Sequence, residues 1–132
     1  MAHRFDVEFT TRHFSVVAGE DEETNPGVFG RTLSEWLAEA LRARGTKVSA
    51  VIAEDWGRCV IVHRKPFMLW VGCSNVDEAA TRWRVIVVAE FAILGKLLGR
   101  TDPKLEICAL EDQVRDIVHG IPQVSDVQWT RL

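Results

Sequence analysis

The chain has 132 residues and a mass of 14.9 kDa, with 16 basic against 19 acidic side chains and a pI near 5.8. Apolar residues make up 47% and charged residues 27%, the balance expected of one soluble globular domain and not of a disordered, collagen-like or multidomain chain. At this length folding buries roughly two-thirds of the unfolded surface, so a core needs neither metal nor disulfide.

The acidic balance argues against a general nucleic-acid binder, which carries a basic excess. No run approaches the roughly 18 apolar residues of a membrane helix, so no membrane partner is expected. The N-terminus, Met1-Ala2-His3-Arg4-Phe5-Asp6, carries charges where a signal peptide needs an apolar run, which favours the cytoplasm. Cys59, Cys73 and Cys108 form no close pairing motif and read as reduced thiols.

In chain order, residues 4–17 read as strand: Phe5, Val7 and Phe9 alternate with Asp6, Glu8 and Thr10, and His13 to Val17 continue after a bend. Residues 18–30 read as a solvated loop, with the run Glu20-Asp21-Glu22-Glu23 and then Asn25-Pro26-Gly27. Thr32-Leu33-Ser34-Glu35 is the pattern of a capping box, in which the Thr hydroxyl accepts from a first-turn amide. Leu33, Trp36, Leu37, Ala40 and Leu41 then form one apolar helical stripe that ends at Gly45.

Strand-like runs follow at about 47–54, 58–65, 67–74 and 82–90. Asp55-Trp56-Gly57 and Lys65-Pro66 read as turns, and connections this short make the strands an antiparallel meander. Phe91 to Gly99 reads as a short helix. A second long helix runs over about 103–120, with Ile107, Leu110, Val114, Ile117 and Val118 on its stripe, stopped by Gly120 and Pro122. Val124, Val127 and Trp129 suggest a last strand. The order predicts a single α+β domain over 1–132: a two-layer sandwich with both long helices on one face of an antiparallel sheet.

Alternation divides the meander into two faces. Cys59, Ile61, His63, Phe67, Leu69, Val71, Cys73, Trp83, Val85, Val87 and Ala89 should lie under the helices. Arg58, Val60, Val62, Arg64, Met68, Trp70, Gly72, Ser74, Arg82, Arg84, Ile86, Val88 and Glu90 share the other face. That face is apolar at its centre and charged at its ends. Either residues 1–17 or the 91–99 segment cover it, with arginine stems lying over the apolar centre, or it binds a partner. Trp, Met and Arg are the residues that interfaces favour, so Arg64, Met68, Trp70, Arg82, Arg84 and Ile86 are the candidate contacts. The partner expected is another protein or a second copy.

Chemistry finds less support. Cys59 and His63 share one strand but sit roughly 13 Å apart at about 3.3 Å per residue, too far for one metal ion or a nucleophile pair. Gly27-Val28-Phe29-Gly30-Arg31-Thr32 puts two glycines before a helix but lacks the lysine of a phosphate loop. Glu54-Asp55 can supply an acid and a base, and a pocket beside Glu54, Asp55 and Trp56 is the alternative site for a small ligand or small enzyme. No cofactor and no metal is expected, and no catalytic residue is assigned.

Asn25-Pro26-Gly27, the helix with Leu33, Trp36 and Leu37, and Glu54-Asp55-Trp56-Gly57 before two strands together resemble a group of small uncharacterised bacterial proteins. The resemblance spans residues 20–129 and implies a compact α+β domain. An acidic chain of this size, with a helix followed by three strands, is also similar to the type III secretion chaperones. Composition, faces and resemblance point to a non-enzymatic protein-binding module (adaptor, chaperone-like or immunity-like) that associates through the outer sheet face.

Overall fold

A computed structural model describes residues 2–91 and 103–131; the helix expected over 91–99 falls, beyond Phe91, outside the described residues. The strands are β1 (Ala2–Thr10), β2 (Ala50–Glu54), β3 (Gly57–His63), β4 (Met68–Asn75), β5 (Arg82–Glu90) and β6 (Ser125–Arg131). The helices are α1 (Arg31–Ala43) and α2 (Pro103–His119). Strands β2 to β5 form the meander that their short connections require. Strand β1 then pairs with β5, and β6 with β1, all antiparallel, giving one sheet in the order β2-β3-β4-β5-β1-β6. No described helix is long and apolar enough to cross a membrane.

Both helices lie on one face, as a two-layer α+β sandwich requires. The stripe of α1 buries Leu33, Leu37 and Leu41, and that of α2 buries Ile107, Leu110 and Val114. They close over Phe5, Val7, Phe9, Leu69, Val71, Trp83, Val85 and Val87 in one core. Alternation placed β4 and β5 correctly: Leu69 pairs with Ala89 and Val71 with Val87 inside, while Trp70 pairs with Val88 and Gly72 with Ile86 outside. Arg131 of β6 donates to the buried Glu111 carboxylate at 3.2 and 2.8 Å, which ties the edge strand to α2.

Strand β3 departs from the expected faces. Val60 pairs with Val71 and Arg58 with Cys73, so both face the helices; Cys59 pairs with Gly72 and Ile61 with Trp70, so both face outward. A register shift between Ile61 and His63 then returns His63 to the helix side, opposite Leu69. An extra residue in one strand flips the phase of everything on one side of it. Arg58 is buried, 7% exposed, because its guanidinium donates to the Glu20 carbonyl at 3.0 Å and to the Glu23 carboxylate at 3.5 Å.

Two further expectations are corrected at the entry to α1. Strand β1 ends at Thr10, and residues 11–18 leave the sheet, where Phe14 packs edge-on to both Trp36 and Trp83. The capping box does not form: the Thr32 hydroxyl donates to the Ser15 carbonyl at 2.7 Å. Glu20 caps the helix instead. It is 2% exposed, and its carboxylate accepts from the amides of Val17 at 2.7 Å and of Gly30 and Arg31 at 3.0 Å. An anion at a helix N-terminus is favoured by the dipole and by the unpaired amides there. So the acidic run is not wholly a solvated loop; its first member closes the helix. Gly30 is required at this entry, since at φ 155° a side-chain Cβ would lie 2.7 Å from the Cys73 carbonyl oxygen.

Candidate functional site on the outer sheet face

The helix-free face carries alternate residues of all six strands, and no described helix covers it. Its centre is built on Gly72. A glycine inside a strand marks a close approach, and the approaching group is Trp56. The β2–β3 turn folds the Trp56 indole over Gly72, so that a Cβ there would lie 2.8 Å from Trp56 Cζ3 and Cη2 and from Ile86 Cγ1. Trp56 meets Trp70 with ring centroids 5.4 Å apart and planes tilted by 35°. The Trp70 indole N–H donates to the Glu90 carboxylate at 3.3 Å.

Beside this indole pair lies a concavity of about 250 Å³, lined by Arg4, Trp56, Trp70, Gly72, Ser74, Arg84 and Ile86. Arg4 and Arg84 stand on neighbouring strands and share the buried carboxylate of Asp6. Arg4 Nε donates to it at 3.0 Å; Arg84 donates from Nε at 3.2 Å and also from Nη2. Two guanidinium groups thus share one carboxylate beside the two indoles, while the Glu90 carboxylate sits at the Trp70 N–H. Held this way, the arginines are pre-oriented, and planar guanidinium groups recognise carboxylates and phosphates in a fixed geometry.

Among the expected contacts, Trp70, Arg84 and Ile86 line this concavity together. Met68 is half-buried at the start of β4, opposite Glu90. Arg82 shares the outer face but is engaged across three strands, with Glu8 at 3.2 Å, Thr10 at 3.0 Å and Asp126 at 3.2 Å. Arg64 lies in the exposed turn beyond the end of β3 and not on the strand surface, because the register shift at Val62 ends the alternation early. Arg4 was not expected here, and Trp56 was expected only in the alternative pocket with Glu54 and Asp55. The signal for Trp56 was Gly72 itself, a gap between Trp70 and Ser74 that only a neighbouring ring fills. The signal for Arg4 was its place two residues before Asp6 on the same strand face, which becomes informative once β1 is known to pair with β5.

The alternative pocket is not assembled as expected. Glu54 and Asp55 are exposed and line neither the Trp56–Trp70 concavity nor the two beside the α1–β2 connection, and Trp56 turns away from them onto the sheet. Asn25 ties the acidic loop to this turn by donating to the Asp55 carbonyl at 3.1 Å. Cys59 and His63 point to opposite sheet faces, so they do not converge. Burial, reinforced by the Glu54 carboxylate, pushes the Cys59 thiol up to about 12, and burial pushes Cys73 up as well.

Two larger concavities, of about 430 and 550 Å³, flank the connection from α1 to β2 and share Gly45, Thr46, Lys47 and Val62. Four polar side chains of the first, Thr46, His63, Glu106 and Gln113, are already engaged. His63 bonds the Phe67 carbonyl at 2.8 Å and the Glu106 carboxylate at 2.7 Å, and Thr46 donates to Gln113 at 2.6 Å. The outer-face concavity is smaller, but it alone of the three combines a pair of indole faces with oriented guanidinium groups. Comparison with protein-family models, with curated proteins and with solved structures returns no match for the chain.

Proposed function

We propose that this protein is a non-enzymatic binding module whose outer sheet face holds an acidic segment of another protein. The carrying observation is the Trp56–Trp70 pair set beside the Arg4–Arg84 pair, with no described helix over it. In this reading an apolar side chain of the partner rests on the indoles and an adjacent carboxylate meets the guanidinium groups. Fully wetted charges alone contribute little, whereas aromatic anchors next to arginine are the usual centres of binding energy. The reading carries an adaptor, chaperone-like or immunity-like role in a bacterial cytoplasm. It draws on the resemblance to small bacterial proteins and to the type III secretion chaperones.

Selection of linear peptides from a random display library tests this, with counter-selection against Arg84→Glu. The expected outcome is enrichment of sequences with Asp or Glu next to an aromatic or aliphatic residue. Their binding should weaken with salt and be lost in Trp70→Ala while the circular dichroism stays unchanged. No enrichment, or enrichment of basic sequences, rejects the reading. Binding of free aromatic carboxylates without any peptide preference favours a small-ligand site in the same concavity.

A further inference from the structure

We propose that β2 is a pairing edge whose occupant is the β2 strand of a second copy of this chain, antiparallel about a two-fold axis at Ile52. The sheet has two edges, and they are built differently. Strand β6 reads Ser-Asp-Val-Gln-Trp-Thr-Arg; its register with β1 is broken between Glu8 and Thr10, and Asp126 sits there at φ 52°. Polar side chains and an irregular backbone are how natural sheets protect an edge from pairing. Strand β2 reads Ala-Val-Ile-Ala-Glu, with no lysine, no proline and an unbroken register from Ala50–Ile61 to Glu54–Gly57. Its outward backbone groups have no strand partner among the described residues. An exposed apolar side chain sits on the same edge: Ile52 is 37% exposed.

An open row of amides and carbonyls is complemented by another strand, and the side chains of β2 suit a second β2. Antiparallel pairing about Ile52 sets Ile52 against Ile52, Val51 against Ala53, and Ala50 against Glu54. The single charge of the strand therefore faces an alanine and never its own copy. A two-fold contact repeats the two off-axis pairs, while the Ile52 pair sits once on the axis. The axis stands perpendicular to the joined sheet, which puts the Trp56–Trp70 concavities of both copies on one face. A partner with two acidic segments would then be held bivalently.

The test is the solution mass of the full chain by light scattering at about 100 μM, well above a micromolar Kd. The expected mass is twice 14.9 kDa. Ile52→Lys should give monomer with unchanged circular dichroism, and mixing it with Ile52→Asp should restore the dimer. In a Cys59→Ala, Cys108→Ser background and with a mild thiol oxidant added, Ile52→Cys should form a reducible covalent dimer and Gln128→Cys, on β6, should not. That crosslink decides the matter even if Ile52→Lys fails to fold. A monomeric wild type, a dimer that persists in Ile52→Lys, or crosslinking through Gln128→Cys instead overturns the proposal. So does a dimer lost in Trp70→Ala but kept in Ile52→Lys, since the outer faces would then be the interface.

Discussion

Trp83 and Trp70 stand on adjacent strands of one sheet and have opposite fates. Trp83 is 0% exposed, inside the core and edge-on to Phe14 at 6.0 Å. Trp70 is half-buried, leaning on Trp56 and bonded to Glu90 at 3.3 Å. Residue type is identical, so the pleat and the helix layer make the difference. A ring in the dry layer holds the fold, and a ring in the half-wet layer is left for recognition. The sharpest way to break this contrast is truncation. Trp83→Ala should lower unfolding free energy by about 3–5 kcal/mol, from lost burial and an unfilled cavity. Trp70→Ala should cost about 1 kcal/mol or less, as half-wet positions usually do. Urea denaturation measures both. Equal losses would mean that the outer face is internal and that no binding surface exists there.

The same contrast divides the acidic run. Glu20 is buried on three amides, whereas Glu22 is exposed. Glu20→Ala leaves those amides and the α1 N-terminus without their acceptor and should cost about 2–3 kcal/mol by thermal or chemical unfolding. Glu22→Ala should change stability by about 0.5 kcal/mol at most. Similar small effects at both positions would make the buried carboxylate dispensable and return the whole run to solvent.

Most of the architecture was legible because its signals are periodic. The stripe of α1, the stripe of α2 and the alternation of β4 and β5 each follow from which residues face the core. Strand β3 was misread for two reasons. Alternation assigns a charged residue to the wet side, and Arg58 is inside only because a loop more than thirty positions earlier supplies Glu20 and Glu23. The extra residue near Val62 leaves no mark in composition. The cap of α1 was misread for a related reason: a local Thr-x-x-Glu pattern competes with a distant carboxylate that only the fold brings near. At the candidate site, the residues on β4 and β5 were readable from the pleat. Arg4 and Trp56 needed tertiary pairing, β1 on β5 in one case and the turn over Gly72 in the other.

Gly72→Ala sharpens the account of the outer face. The added methyl would meet the Trp56 ring at 2.8 Å, and an exposed indole on a turn can move where backbone cannot. Trp56 should swing away, so its fluorescence shifts to longer wavelength and the enriched peptides bind at least tenfold more weakly. Stability should fall by only about 1 kcal/mol, the lower range for inserting a methylene. Unchanged fluorescence with intact binding would show that the indole pair does not form the platform.

The smallest effect is expected at the cysteines, and it separates a buried outer face from a flexible one. Cys59 points outward and Cys73 inward from neighbouring strands, yet both are buried. Burial raises the Cys59 thiol from an ordinary 9.0 to about 12, so the reactive thiolate is scarce at neutral pH. Cys108 is exposed on α2. A chromogenic disulfide reagent at pH 8 should therefore label Cys108 rapidly, and Cys59 and Cys73 only at the rate of unfolding. The sign of the pH effect follows from the same shift. The unfolded thiol ionises first, so the native state gains nothing below about 9 and loses stability as pH rises from there toward 12. Replacing Cys59 with Ala should remove its part of that alkaline loss. Labelling of Cys59 as fast as Cys108 in the folded protein would mean that the β2–β3–β4 surface opens locally, and the rigid aromatic platform built on it would go with it.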